Sequence, residues 1–174
     1  SANAGSYTIT NLAGITIADG SGGTASNYTL TGGTHNFTVN QRPLNATLAR
    51  QYDGTTNAAG SDLSSFDALQ GGETLTLSGS GTAANDNVAN GISVSSLGTL
   101  ALVNGTGLAS NYSLNSASLN ITQRILNSSG SKTYDANRNA LAADISLTNL
   151  VVGETLNHSG TAAISSANAG SYTI

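Results

Sequence analysis

Few side chains in this sequence have reactive chemistry, and their spacing gives them little to work with. The imidazoles are His35 and His158, which would suit general acid–base work if a carboxylate or nucleophile lay in register with them. They stand at unrelated positions, neither is paired in sequence with a recurring acid, and both read as strand or loop surface. The many serines lack a Gly-x-Ser-x-Gly context that would expose a nucleophile; Ser78-Gly79-Ser80-Gly81 reads as turn sequence. With no cysteine, thiolate metal sites and disulfides are excluded. The segment from Ala84 to Asn90 is rich in oxygen ligands, but it holds only Asp86 as a carboxylate and no calcium-loop spacing. The expectation is a chain that is not an enzyme, with no catalytic residue, cofactor or metal.

The polar residues that recur are of a different kind. They are Arg42 and Arg124, Arg50 and Lys132, Asp53 and Asp135, and Glu73 and Glu154, with Gly72 and Gly153 preceding the two glutamates. Asp before Gly54 or Ala136 caps a turn. The base three residues earlier would lie across the same hairpin, and the glutamate would cap a loop. Tyr52 with Tyr134, and Tyr28 with Tyr112, read as core anchors whose hydroxyls reach the surface. The competing reading is a ligand stripe, or an aromatic glycan platform, along a rod.

These residues recur because the chain repeats itself. Ser1 to Ile9 returns letter for letter as Ser166 to Ile174, and a more diverged register runs inside that one. Gln41-Arg42-x-Leu44-Asn45 matches Gln123-Arg124-x-Leu126-Asn127, and Ala25-Ser26-Asn27-Tyr28 matches Ala109-Ser110-Asn111-Tyr112. Phe66-x-x-Leu69-x-x-Gly72-Glu73 matches Leu147-x-x-Leu150-x-x-Gly153-Glu154. The unit is thus about 82 residues, with a superperiod of 165. On this reading 41–123 is a complete repeat, 1–40 the C-terminal half of another, and 124–174 the N-terminal half of a third. The halves are complementary, which raises head-to-tail self-association between molecules as an expectation.

Composition sets the scale of each unit. Charged residues make up 8% and the net charge is −4, so there is no basic patch for nucleic acid and no polybasic membrane anchor. The apolar runs are far too short to span a bilayer. With 5% aromatics the core must be thin and aliphatic, which favours small domains in a row over one large globule.

Period-two patterns predict strands at Ile15-x-Ile17, Tyr28-x-Leu30, Phe37-x-Val39, Leu75-x-Leu77, Ile92-x-Val94, Leu100-x-Leu102, Tyr112-x-Leu114 and Leu119-x-Ile121. Asp53-Gly54, Gly71-Gly72, Asn90-Gly91 and Asn104-Gly105 predict turns that accept positive φ. The segment Asp62–Leu69 is the one candidate for a short helix or 3₁₀ turn. Between Ile121 and Leu126 no Gly/Ser linker intervenes, and Pro43 stiffens the other junction, so a semi-rigid rod is expected.

The order Arg-x-Leu, Tyr52-Asp53-Gly54-Thr55, Leu-x-x-Gly-Glu, Ser-Asn-Tyr and a closing Leu-x-Ile-Thr resembles the YDG and MBG repeat domains of large secreted bacterial adhesins of the filamentous-haemagglutinin, two-partner-secretion type. The second unit departs from it, with Tyr134-Asp135-Ala136-Asn137, where the glycine is replaced and Asn137 still tolerates the left-handed region. The resemblance implies a mostly β fold: tandem small β-grasp-like domains in an elongated rod, with immunoglobulin-like sandwich repeats as the alternative. It implies a stalk or spacer at the bacterial cell surface that projects a binding tip and contributes to adhesion, aggregation or biofilm. A glycan-, matrix- or ice-binding module is the alternative function. The expected partners are neighbouring repeats of the same chain, without nucleic acid or membrane insertion.

Overall fold

The computed structural model describes residues 3–172. The chain is mostly β. A first hairpin joins β1 (Gly5–Thr8) to β2 (Asn36–Val39), with a long irregular excursion between them. There follow β3 (Arg42–Gln51), β4 (Asn57–Ala59), β5 (Leu63–Phe66), β6 (Leu75–Ser78), β7 (Ser80–Ala83), β8 (Ala89–Ser96), β9 (Ala101–Asn104) and β10 (Tyr112–Thr122). The last segment carries β11 (Asn127–Gly130), β12 (Asn139–Leu141), β13 (Ile145–Thr148) and β14 (Thr161–Ala163).

Strands β3 to β10, with β6 and β9 apart, form a six-stranded sheet in the order β4-β7-β8-β10-β3-β5. Its centre is the parallel pair β3–β10, which runs from Tyr112 opposite Arg42 to Thr122 opposite Gln51. All the other pairings of that sheet are antiparallel. Alternation dictates which face is covered. On β3, Leu44, Ala46 and Leu48 point inward and are buried, and on β10 Ala117, Leu119 and Ile121 do the same. The ribbon β6–β9 lies over that face and contributes Leu75 and Leu77. Among the described residues no α-helix covers the sheet; this ribbon takes that place.

The core is as thin as the composition requires. One cluster gathers Ala46, Leu48, Ala58, Leu77, Ala83, Ile92, Ala117, Leu119 and Ile121. A smaller one, at the end where β3 and β10 begin, joins Leu44, Leu75 and Tyr112. Four alanines in the larger cluster let the layers approach closely.

Several sequence expectations are corrected. Asp62–Leu69 is not a helix: a 3₁₀ turn at Gly60–Asp62 leads directly into β5, because Leu63 and Phe66 pack on the core from an edge strand beside β3. Ile15-x-Ile17 and Tyr28-x-Leu30 form no strand, and Ile15, Ile17 and Tyr28 are exposed. With no apolar face opposite them, period two alone does not hold a strand. Tyr112-x-Leu114 and Leu119-x-Ile121 are one strand joined through a bulge at Asn115. Asn90-Gly91 is no turn either, since Gly91 sits inside β8 at φ +70, where the pairing with β10 shifts register. Gly105 is required for proximity: a Cβ there would meet the Thr74 backbone carbonyl.

The pairings in 127–163 echo those of the larger sheet. Ser128 faces Leu147 as Ala46 faces Phe66, positions that correspond in the two sequence registers. The β12–β14 pair departs from the echo. Ala140 faces Ala162, whereas matching the Ser-Gly-Thr-Ala-Ala motifs would place it opposite Gly160. A slip of two residues keeps each side chain on its face, so it is tolerated where no further strand pins the register.

Leu119 is fully buried at the sheet's centre while Val152 is fully exposed. Leu119→Ala is expected to lower stability by about 2–5 kcal/mol, and Val152→Ala to change it by less than about 0.5 kcal/mol, in urea denaturation followed by circular dichroism.

Candidate functional site

The recurring polar residues converge on turns and on the seams between segments. Arg50 and Asp53 form an ion pair across the turn after β3, and Arg50 also donates to the Thr55 carbonyl. Asp53 Oδ1 accepts from the Thr55 N–H at 2.9 Å and from its hydroxyl at 2.9 Å. In the last segment Lys132 Nζ lies 2.8 Å from Asp135 Oδ1 and also donates to Asn137 Oδ1 at 2.8 Å. The turn is built twice from one plan, with the base across the hairpin as expected. In both pairs the basic side chain is largely covered and the acid is about half-exposed, so the base is held against its turn.

These carboxylates are held below their ordinary range. Burial raises Asp53, but the hydrogen bonds from Thr55 and the charge of Arg50 outweigh it and the net shift is downward. Asp135 is lowered chiefly by the Lys132 ammonium. Asp67 is lowered chiefly by the backbone N–H and side chain of Asn45, which hold both its oxygens. A lowered folded-state pKa gives stability that is present above the ordinary carboxylate range and is lost as pH falls through it.

Gly54 takes φ +72, and its counterpart Ala136 takes φ +61. The left-handed residue is therefore Ala136 itself and not Asn137, because the Asx turn from Asp135 to the Asn137 N–H fixes the position of the bend. Asn149 is the other non-glycine residue with positive φ among the described residues, at +68, and its amide donates back to the Ile125 carbonyl at 2.7 Å.

Arg42 and Arg124 clamp equivalent loops. Arg42 Nε donates to the Ala68 carbonyl at 2.6 Å, and Arg124 Nε to the Asn149 carbonyl at 2.6 Å. Gly72 and Gly153 provide the positive φ, +78 and +91, that turns the chain toward the glutamates. Glu73 and Glu154 do not cap those loops with their carboxylates. Each receives a tyrosine hydroxyl instead: Tyr112 donates to Glu73 Oε2, and Tyr52 donates to Glu154 Oε1. Both phenols are shifted upward, first by that bond to the carboxylate. A raised phenol pKa gives stability that is present below the ordinary tyrosine range and lost as pH rises through the folded value.

The tyrosines divide by context. Tyr112 is buried and Tyr52 half-buried against the main core, as expected of anchors. Tyr28 and Tyr134 are exposed and anchor no core; Tyr134 lines an open cleft with Ile164 and Tyr172 instead.

Two seams connect the segments. At the first, Ala4 N donates to Asn111 Oδ1 at 2.8 Å and Asn111 Nδ2 to Asn3 Oδ1 at 3.2 Å, beside the bond within 41–123 from Gln41 Nε2 to the Ser110 carbonyl at 3.1 Å. At the second, Arg124 reaches the Tyr52 carbonyl, and the Tyr52 hydroxyl donates across to Glu154. A cleft there is lined by Tyr52, Val88, Leu126, Val151, Glu154 and Leu156, among others. A Cβ on Gly54 would lie 3.0 Å from Val151. The sequence offers no role for Val151, and it marks Asn111 only as part of the recurring Ala-Ser-Asn-Tyr motif. The signal was their position beside a signature turn and a strand start.

Ala136→Gly is expected to relieve the left-handed strain and stabilise 127–163 by about 0.5–1 kcal/mol, read as slower amide exchange in β12 and β14. Gly54→Ala should destabilise by about 1–2 kcal/mol, through its φ and through crowding against Val151.

Against known families, residues 38–120 match the model of the YDG domain. No curated protein and no solved structure matches the chain.

Proposed function

From the premise that residues 38–120 are a YDG domain, we propose that this chain is a spacer in the stalk of a secreted bacterial cell-surface adhesin. In this reading 1–40, 41–123 and 124–174 are a half, a whole and a half unit of a tandem array that holds a binding tip away from the cell. Adhesion, aggregation or biofilm formation would follow from that reach.

The observation that supports this most is the parallel pairing of β3 with β10. These are the first and last strands of the central unit and they run the same way. The chain therefore comes in at one end of the sheet and goes out at the other, about 30 Å further on at ~3.3 Å per residue. A domain with adjacent termini would fold the array back on itself; this one hands the chain onward. Beyond Thr122, Gln123 leads at once to Arg124, which is already bonded into the next loop. The absence of a flexible linker there favours transmission of length over free hinging.

Small-angle scattering of proteins containing one to four units is the test. The maximum dimension is expected to rise linearly, by roughly 35–40 Å per unit, from the strand length plus the junction. A particle that stays compact as units are added would overturn the stalk reading.

A further inference from the structure

The Tyr52-Asp53-Gly54 turn faces the following segment, and its three residues divide the work. Asp53 fixes the turn through Thr55 and Arg50. Gly54 leaves room for Val151, and Tyr52 sends its hydroxyl across to Glu154. We propose that this turn is an inter-unit latch, in which the tyrosine of one unit docks on the Gly-Glu carboxylate of the next and fixes their relative orientation. The inference rests on the spacer reading and adds to it the contact that would make the rod stiff.

Three observations carry it. First, Tyr52 and Glu154 belong to different segments and are bridged directly. The Tyr52 ring packs on the core of 41–122 while its hydroxyl leaves that core. Second, Arg124 is shared: its Nε and Nη2 hold Asn149 within its own segment, and its Nη1 reaches the Tyr52 carbonyl. The side chain that shapes the loop before Glu154 therefore also touches the backbone of the tyrosine. Third, the glutamate type is already a phenol acceptor inside one unit, where Glu73 receives Tyr112. A carboxylate has two oxygens and about four acceptor sites, so it can hold its own unit's closing tyrosine and the preceding unit's latch tyrosine together. Tyr134, at the position of Tyr52 and exposed, presents the next latch outward.

The groups facing the Tyr52 hydroxyl are Glu154 across the seam, Asp53 on its own turn and Asp86 from the loop before β8. Arg124 lies at its backbone. All three acids oppose ionisation of the phenol, so the latch should hold at neutral pH and fail in strong base.

The chain has no cysteine, so Ser64→Cys with Ser146→Cys places one spin label on each body at exposed sites. Double electron–electron resonance on the whole chain should give one narrow distance distribution. Tyr52→Phe keeps the ring and removes the hydroxyl; it should widen the distribution about twofold or more, with the melting temperature of the main sheet unchanged. Glu154→Gln, which keeps an acceptor oxygen, should widen it less than Glu154→Ala. Raising the pH above the tyrosine range should widen the wild-type distribution toward that of Tyr52→Phe, while circular dichroism verifies that the sheet persists. Equal widths for wild type and Tyr52→Phe would overturn the latch. A wild-type distribution already broad would instead count against the stiff-spacer reading itself.

Discussion

The parallel pairing of β3 with β10 is the constraint on which the rest depends. It joins the two longest strands among the described residues; β3 gives Leu44, Ala46 and Leu48 to the buried face, and β10 gives Tyr112, Ala117, Leu119 and Ile121. Every other strand of the sheet is placed outward from this pair, and the ribbon β6–β9 exists to cover it. A parallel pair requires a long connection between its strands, and here the connection is most of the unit, β4 to β9. The domain is a crossover wound from one strand to its parallel neighbour. That geometry puts the chain's arrival and departure at opposite ends.

Because the sheet receives the chain at one end and releases it at the other, the seams with the flanking segments become the place where polar residues matter. A chain with 8% charged residues has few to distribute, and the structure concentrates several of them at turns and loops beside the seams. Arg42, Arg124, Glu73 and Glu154 hold loops and phenols near strand starts; Arg50 with Asp53, and Lys132 with Asp135, hold the turns that project past strand ends. None of these groups need react with anything for that role. Their bonds are short-range and mostly to backbone or hydroxyl partners, so they fix geometry more than they add net stability.

How much of this could be read in the sequence depends on the scale of the feature. Pairs such as Leu75 with Leu77 and Leu119 with Ile121 read directly as strands and lie against a buried face, whereas the run Leu44, Ala46, Leu48 of the central strand β3 drew no strand reading, its small Ala46 and the junction residues Arg42 and Pro43 masking the alternation. Ile15 with Ile17 has the same spacing but no partner surface, and it stays exposed outside any strand. Asp62–Leu69 misled because Asp62 suits a helix start, while the decisive force, packing of Leu63 and Phe66 beside β3, is tertiary. Glycines carried two meanings that composition cannot separate, positive φ at Gly54 and Gly91 but close approach at Gly105. The turn residues Arg50, Asp53, Lys132 and Asp135 were legible from spacing, since their partners lie three residues apart. The partners of Glu73 and Glu154 were not, since Tyr112 and Tyr52 meet them only after the sheet has formed.

Mechanical loading tests the central pair most directly. A chain pulled through the two ends of a stalk loads β3 against β10 in shear, so that all their hydrogen bonds resist together. Force spectroscopy with handles at Gln41→Cys and Gln123→Cys is expected to give a single high-force rupture. The released contour should be on the order of 260 Å, at ~3.6 Å per extended residue between the handles less the ~30 Å already spanned in the fold. Handles at Gln41→Cys and Ser110→Cys, which sit at the same end of the pair, would peel the bonds one at a time. That geometry should open at a several-fold lower force. Equal forces in the two directions would contradict the account, because they would mean that the β3–β10 pair does not carry the load from one end of the unit to the other.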